Sequence, residues 1–245
     1  LDGIKVLKAR LEEEKNDLEV KRDELNTLRS ELGAQRQLSS DQRAERESLL
    51  KQTRNQEARY QTLLKDVRKR QIEIQQEIVD LEEKLRRAIN PAGIPAARPG
   101  VLAWPLEGVL SQGYGPTSAT GFINDGYQFH NGLDIAASFG SPVRAARDGT
   151  VAGVGDLGRW AYGRWVAIRH ENGLTTLYGH LSLVTAQPGQ RVNRGDVIGY
   201  EGSTGFSTGP HLHFTVYASD TFILVERPFG VLPIGGSINP MDYLP

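Results

Sequence analysis

The chain has no cysteine among its 245 residues, which excludes disulfide bonds, thiolate nucleophiles and Cys-ligated metal sites. No apolar run approaches the roughly 20 residues that a membrane-spanning helix needs. Neither positive nor negative charge predominates, because the formal net charge is −1 and residues of both signs are interspersed. No basic cluster of the kind that binds nucleic acid is present. We therefore expect neither a nucleic-acid partner nor a transmembrane segment.

Residues 1–90 are poor in glycine, proline and aromatic residues but rich in charge. They hold 39 of the 59 charged side chains, two glycines and a single aromatic residue, Tyr60, and the first proline is Pro91. Apolar residues recur at steps of three and four over 4–32 and again over 60–88. This heptad rhythm predicts a coiled coil.

A narrow apolar stripe on a charged helix has to be buried against another helix. We favour an antiparallel hairpin within residues 1–90. Thr53 and Gln56 have the spacing of a capping box, so we place the turn near 53–55. A turn at 33–40 and a single uninterrupted helix are the alternatives.

Residues 91–100 contain three prolines and two glycines, which end the helix and predict an extended linker. From residue 101 onward, short β segments alternate with glycine turns, and Asn172-Gly173 is a hairpin signal. We predict strands at 142–146, 149–154, 165–170, 174–180, 191–193 and 211–217. The expected fold is thus α + β in separate domains: a coiled coil (1–90), a Pro/Gly linker (91–100) and an all-β, mostly antiparallel domain (101–245).

Four of the five histidines lie in three short phrases that together predict a zinc site. The phrases are His130-Asn131-Gly132-Leu133-Asp134, Tyr178-Gly179-His180-Leu181 and His211-Leu212-His213. Hydrolytic zinc takes three nitrogen or carboxylate ligands and leaves one position for water. The His-x-x-x-Asp pair plus one later histidine supplies that number, and two further histidines remain for proton transfer.

Strand alternation would place His211, His213 and Thr215 on one face of a strand. Two imidazoles side by side beside a glycine-rich loop are costly in a core and useful in a site. His170 differs, because it precedes a turn in isolation, and we interpret it as structural or solvent-facing.

Residues 101–245 resemble the catalytic domain of the M23 (lysostaphin/LytM-type) zinc metallopeptidases. The resemblance rests on phrases that occur in family order, among them Phe129-His130-Asn131-Gly132-Leu133-Asp134, Leu177-Tyr178-Gly179-His180-Leu181 and Gly209-Pro210-His211-Leu212-His213-Phe214. It implies zinc ligands at His130, Asp134 and His213, and catalytic histidines at His180 and His211. Which of these two is the general base stays open.

The resemblance further implies a peptidoglycan hydrolase that cuts peptide cross-links in the bacterial cell envelope, in the periplasm or outside the cell. The chain starts at Leu1 without a signal-like stretch, which we interpret as a processed form. A coiled coil joined to such a domain is similar to division-associated hydrolases and amidase activators, so we expect the coiled coil to control activity or to dock on a membrane division complex.

Two other functions compete with the hydrolase. The first is a non-catalytic or autoinhibited activator of cell-wall amidases, and the complete set of ligands argues against the non-catalytic form. The second is a periplasmic adaptor of an export system, because the phrase at 189–199 is typical of lipoyl-like folds. The adaptor leaves the histidines and Asp134 unexplained.

Overall fold

The structure, a computed structural model, describes residues 2–119 and 128–245. It begins with one helix, α1 (Asp2–Arg87), which continues through the predicted turn. The Thr53 hydroxyl donates to the Leu49 carbonyl four residues earlier, at 2.9 Å, so Thr53 lies inside the helix rather than at a cap. The predicted hairpin is therefore wrong. Capping-box spacing does not stop a helix where neither proline nor glycine interrupts a run of good helix formers.

The chain divides into two compact units, Leu1–Lys65 and Asp66–Pro245. In the first unit the apolar stripe of α1 is exposed: Ile4 is 73% and Leu18 is 68% accessible. No helix in the described ranges is both long and apolar enough to cross a membrane. The predicted boundaries at 90 and 100 stay a prediction.

Within its described residues, the second unit contains the last turns of α1, two short 3-10 helices (Pro91–Gly93 and Pro240–Asp242) and fifteen strands. The strands are β1 (Val109–Gln112), β2 (Gly115–Pro116), β3 (Phe129–His130), β4 (Leu133–Ala136), β5 (Pro142–Arg144), β6 (Gly149–Asp156), β7 (Arg164–Arg169), β8 (Leu174–Gly179), β9 (Leu183–Val184), β10 (Arg191–Val192), β11 (Val197–Tyr200), β12 (Leu212–Ala218), β13 (Ile223–Arg227), β14 (Gly230–Ile234) and β15 (Ser237–Ile238).

The main sheet has the order β1-β4-β12-β8-β7-β6-β10, and β15 also pairs with β12. Three smaller sheets are β5-β11-β9, β13-β14 and β2-β3. The pairings are antiparallel throughout the described residues. The predicted fold class, a helical coiled-coil segment followed by an all-β antiparallel domain, is confirmed, and each predicted strand overlaps an observed one.

The central strands β8 and β12 are buried on both faces. Successive side chains of a strand point to opposite faces, and the two faces enter different apolar clusters. Phe214 and Val216 join a cluster with Leu133, Ile135 and Ile198. Tyr217 instead joins a cluster with Trp165, Leu177 and Ile78.

The cluster around Tyr217 joins α1 to the sheet. Ile78 is fully buried in it, and Ile74, Leu81 and Leu85 pack against it from the same helix face. Phe222, Leu232 and Ile234 of the segment 219–237 lie in the same cluster. His213 and Tyr217 lie four residues apart on β12, so their side chains point to the same face of the sheet. Residues 66–87 of α1 therefore cover the sheet face that carries His213.

Candidate metal centre and groove

Three potential ligands converge where β3, β4 and β12 meet. β12 pairs with β4 so that His213 lies directly opposite Asp134. The Asp134 Oδ1 atom is 3.1 Å from His130 Nε2 and 2.9 Å from His213 Nδ1, and the two imidazole nitrogens are 3.1 Å apart. His130, Asp134 and His213 form a group that could hold a metal ion. Pairing of β12 with β4 brings position 213 beside position 134, and the short connection between β3 and β4 places His130 next to both.

The outer nitrogens of both ring ligands have hydrogen-bond partners. His130 Nδ1 lies 2.8 Å from the Gly113 carbonyl, which can only accept, so this nitrogen carries a proton, and in the neutral ring Nε2 carries the lone pair. His213 Nε2 lies 2.9 Å from the Thr215 hydroxyl. Such outer contacts fix ring orientation in metal sites.

The donor set fits a divalent cation. In the neutral His130 ring the Nε2 lone pair faces a carboxylate oxygen, an arrangement that is repulsive unless a proton or a metal cation lies between the two atoms. Ligand atoms around tetrahedral zinc, with bonds of about 2.0–2.1 Å, lie about 3.3 Å apart. The spacings of 2.9–3.1 Å need only a slight expansion.

Asp134 stays charged in this surrounding. Burial by itself would raise the pKa of its carboxyl, but the charges and hydrogen bonds of His130 and His213 outweigh burial and hold the pKa well below its usual range. Burial also lowers the pKa of the His213 imidazole, despite the opposing contacts with Asp134. A charged carboxylate beside a neutral imidazole is the protonation state that ligands require.

His180 and His211 lie beside the triad, with their ring centroids 4.6 Å apart. His180 Nδ1 is 2.7 Å from the Thr204 carbonyl, and His211 Nδ1 is 2.8 Å from the Gly209 carbonyl. Each Nδ1 therefore donates its proton, which leaves Nε2 of both rings as the atom available for proton exchange. Burial, followed by the nearby His211 and His213, lowers the pKa of His180 to about 3.

His180 has a left-handed backbone, with φ of 61°. Non-glycine residues in this region are uncommon and concentrate at functional sites. Gly179 precedes His180. A Cβ atom added to Gly179 would lie 3.3 Å from Tyr162 Cβ and 3.5 Å from His213 Cβ. The positive φ turns the chain immediately after β8, so that the imidazole lies against His211.

His170, the fifth histidine, is not part of the site. It is buried, with Nδ1 2.9 Å from the Asp148 carbonyl and Nε2 2.8 Å from the Thr176 hydroxyl. Burial lowers the pKa of His170 to about 4. The structural interpretation of this residue agrees with these contacts.

A buried carboxylate from α1 lies next to the triad. Glu82 accepts hydrogen bonds from Asn131 Nδ2 at 2.7 Å, from the Tyr217 hydroxyl at 2.8 Å and from the Tyr162 hydroxyl at 3.3 Å. Burial raises the pKa of Glu82 to about 7, although these hydrogen bonds and Arg86 oppose the shift. Asn131 directly follows His130, and the Tyr162 ring lies 5.4 Å from the His213 ring. The helix is thus joined to both sides of the candidate metal centre.

Glu82 was not predicted from the sequence, although a signal was present. It lies four residues after Ile78 and three before Leu85, on the apolar face of the helix. A charged residue on that face indicates a polar partner. Sequence alone does not supply that partner, because Tyr162 and Tyr217 come from distant strands.

A cavity of about 340 Å³ contains all five predicted site residues. Its lining also includes Phe206 and Pro210 from the loop before β12, Tyr162, Gln112 from β1, and Arg68 and Gln75 from α1. The contribution of α1 was not predicted.

Two loops form the wall beside His180 through direct backbone contact. Gly163 and Gly205 both have positive φ, 59° and 78°. A Cβ on Gly163 would lie 2.5 Å from Gly205 N, and one on Gly205 would lie 2.3 Å from Gly163 N. The Phe206 N–H donates to the Ala161 carbonyl at 2.8 Å. Only glycine permits this approach.

Comparisons with known proteins identify a family model and several relatives that are similar to parts of this chain. Residues 128–223 match the model of "Peptidase family M23". The chain is 51% identical over 88 residues to "DD-carboxypeptidase/endopeptidase Mpg" of Neisseria meningitidis serogroup B, which is 36% of this chain and 20% of that protein. It is 35% identical over 134 residues to "Cell division protein DipM" of Caulobacter vibrioides, covering 55% of this chain and 21% of that protein.

Among solved structures, the catalytic domain of the M23 protein EnpA from Enterococcus faecalis is 32% identical. The match covers 54% of this chain and 88% of that one, with a TM-score of 0.43. The chain spans about a fifth of the length of the curated relatives named above. The match to the family model confirms the resemblance that the motifs indicated: residues 128–223 are a Peptidase family M23 domain.

Proposed function

We propose that this chain is a zinc-dependent endopeptidase that cleaves peptide cross-links of bacterial peptidoglycan. One observation carries the proposal: His130, Asp134 and His213 converge within 3.1 Å of one another in a groove that also contains His180 and His211. Similarity to a protein named DD-carboxypeptidase/endopeptidase supports the reaction class. Such a substrate would place the chain in the cell envelope, in the periplasm or outside the cell.

His130, Asp134 and His213 would hold the zinc ion. When bound, zinc supplies Lewis-acid polarisation of the scissile carbonyl and lowers the pKa of a coordinated water towards about 7. The protein contributes the two remaining histidines, whose Nε2 atoms face the groove. General acid–base assistance of this kind typically contributes about 10²–10⁴-fold to the rate.

The surroundings of the two histidines assign them different tasks. Burial keeps His180 neutral at pH 7, so its Nε2 can accept the proton of the attacking water. His211 Nε2 lies 3.7 Å from Asp134 Oδ1. We therefore assign proton acceptance to His180, which leaves proton donation to the leaving amine to His211.

Digestion of purified sacculi by zinc-loaded protein tests the proposal. His213→Ala should lose zinc and activity together. His180→Ala should keep about one zinc per chain and lose at least about 10²-fold in kcat. The matched control is His170→Gln, the histidine outside the groove, which should keep both zinc and turnover. Full turnover in His180→Ala would refute its catalytic role.

Metal analysis separates the hydrolase from the export-system adaptor. A purified chain that contains about one zinc ion supports the hydrolase, and a chain with none after zinc supplementation supports the adaptor. An intact triad has no function in the adaptor.

We further propose that α1 controls the enzyme. Arg68 and Gln75 border the groove, and Glu82 holds the helix against Asn131 and Tyr162. Arg68→Ala opens the helix side of the groove without changing apolar packing. A several-fold rise in kcat/KM would support restraint by the helix, whereas a fall would show that the helix forms part of the substrate-binding wall.

The exposed stripe in Leu1–Lys65 is proposed to dock on a division-associated membrane complex. The name of the relative "Cell division protein DipM" motivates this partner. Deletion of residues 1–65 should leave hydrolysis in vitro unchanged and abolish localisation to the division site. Unchanged localisation would instead show that residues 1–65 act as a spacer.

Activation of cell-wall amidases is the alternative function. The placement of α1 at the groove is the observation that favours it, since a covered groove can present a surface without cutting. Stimulation of a purified amidase by zinc-loaded protein that itself releases no peptide would support the activator.

A further inference from the structure

A buried amide donor borders the groove without a partner. Gln112 of β1 is 8% exposed, and its Nε2 atom has no hydrogen-bond partner within the part of the chain that the structure describes. Buried polar groups are almost always paired in native proteins, and the exceptions concentrate where a ligand or a reaction supplies the partner. Gln112 is also one of the residues that line the cavity with the triad.

The backbone of β1 is shaped to present this side chain. Leu110 pairs with Ile135, and Gln112 pairs with Asp134, so the register shifts by one residue between Leu110 and Gln112. The extra residue is Ser111, whose hydroxyl donates to the Asp134 carbonyl at 3.1 Å. Bulges of this kind re-aim side chains beside active sites. Here the bulge places Gln112 opposite a candidate metal ligand.

A second carboxamide borders the same cavity. Gln75 of α1 is buried at 7% exposure and lines the cavity. A carboxamide offers both donors and an acceptor. One peptide unit likewise offers one acceptor, its carbonyl oxygen, and one donor, its N–H.

The structure assigns Gln112 as a substrate-positioning residue: its Nε2 donates a hydrogen bond to a carbonyl oxygen of the peptide substrate, and Gln75 lies at the same subsite. The assignment rests on the proposed peptidase function and extends it to the substrate backbone. Neutral amides of this kind can hydrogen-bond to the backbone of a peptide whatever its side chains are. The selected feature is therefore an extended backbone in a fixed register with the candidate metal centre.

Steady-state hydrolysis of a purified cross-linked muropeptide by zinc-loaded full-length chain tests the assignment. Gln112→Leu should raise KM about tenfold and change kcat less than twofold, because a hydrogen bond made equally in ground and transition states contributes to binding alone. Gln112→Glu replaces the donor by an anionic acceptor and should raise KM further. Gln56→Leu, an exposed glutamine of α1, is the matched control.

The thermal unfolding midpoint distinguishes substrate positioning from a purely structural role of Gln112. Loss of a structural residue would lower the midpoint. Replacing an unpaired buried amide by an apolar group of similar shape is neutral or stabilising. The unfolding midpoint of Gln112→Leu should therefore equal or exceed that of the parent while KM rises. A lower midpoint with unchanged KM would overturn the assignment, and so would tighter binding by Gln112→Glu.

Binding measurements separate this assignment from the proposed function. If the parent chain cleaves the muropeptide and Gln112→Leu has the parent KM, only the Gln112 assignment fails. If the parent binds the muropeptide without cleaving it, the Kd ratio of Gln112→Leu to parent replaces the KM ratio and decides in the same way. If the zinc-loaded parent neither binds nor cleaves, both proposals fail. Gln75→Leu should raise KM as well, and an unchanged value would overturn its place at the subsite.

Discussion

The apolar stripe of α1 is exposed in the first unit and buried in the second. Ile4 and Leu18 are largely accessible, whereas Ile78 is 1% exposed in the cluster with Trp165 and Tyr217. Both regions carry an apolar stripe at helical spacing. A heptad pattern therefore predicts that a helix face will be buried, and it does not predict whether a helix or a sheet will bury it.

Truncation provides the largest test of this comparison. A chain that begins at Asp66 should keep the unfolding free energy of the second unit. A chain that begins at Ala97 removes Ile74, Ile78 and Leu85 from their cluster and should lose about 5 kcal/mol, because each buried aliphatic side chain contributes about 1.5–3 kcal/mol. Chemical denaturation of the two truncated chains measures the difference. Equal stability of both would show that the helix does not belong to the folded unit.

Single substitutions sharpen the comparison. Ile78→Ala should destabilise the second unit by about 2–5 kcal/mol, since it leaves a cavity in a buried cluster. Leu18→Ala, the matched change on the exposed stripe, should stay within about 0.5 kcal/mol. Urea midpoints report both values. A large effect of Leu18→Ala would mean that the stripe is buried by a partner in solution.

Glu82 makes the helix–sheet contact pH-dependent. Its pKa rises from 4.5 unfolded to about 7 folded. Below pH 4.5 both states bind the proton. Between pH 4.5 and 7 the unfolded state loses it first, so stability falls as pH rises through this window, by on the order of 3 kcal/mol in total.

Glu82→Gln should remove this dependence, and thermal unfolding at several pH values measures it. Glu83→Gln is the matched control, because Glu83 is an exposed neighbour on the same helix. A parent chain whose stability between pH 4.5 and 7 follows the same slope as Glu82→Gln would contradict the buried-carboxylate interpretation.

His170 provides the smallest effect and belongs to the sheet alone. Its pKa is lowered from 6.5 to about 4, so the unfolded state gains a proton first as pH falls. Stability should decline by about 2 kcal/mol between pH 6.5 and 5. His170→Gln should flatten that slope in the full chain and equally in the chain that begins at Asp66. A slope present only in the longer chain would contradict a role confined to the sheet.

Six of the strands in the described residues, and the five site residues, were predicted from local sequence, because alternation, glycine turns and the histidine phrases are short-range signals. The triad could be named in advance because the family phrases already contain His130, Asp134 and His213. The expected hairpin was wrong for a related reason. The stripe indicated an apolar partner, and the sequence offered no means to recognise the sheet face formed by Leu177 and Tyr217 as that partner.

The residues that sequence reasoning missed depend on long-range packing. Nothing in the local sequence distinguishes Tyr162 and Tyr217 from other aromatic residues. The folded sheet brings both hydroxyls within hydrogen-bond distance of Glu82. Gln112 acquires its position from a bulge, which no pattern in the sequence at 109–112 reveals. The chemistry of the site is thus encoded locally, and its surroundings are encoded by topology.

The contact between Gly163 and Gly205 has a consequence for how cleavage preference can change. Since the backbones of these two loops touch, a shift of either one displaces the other, and with it Tyr162 or Phe206. The two loops thus form one wall beside His180. In the proposed peptidase, an altered preference for a peptide would accordingly come from exchanging side chains on that wall, such as Phe206, rather than from a new main-chain path.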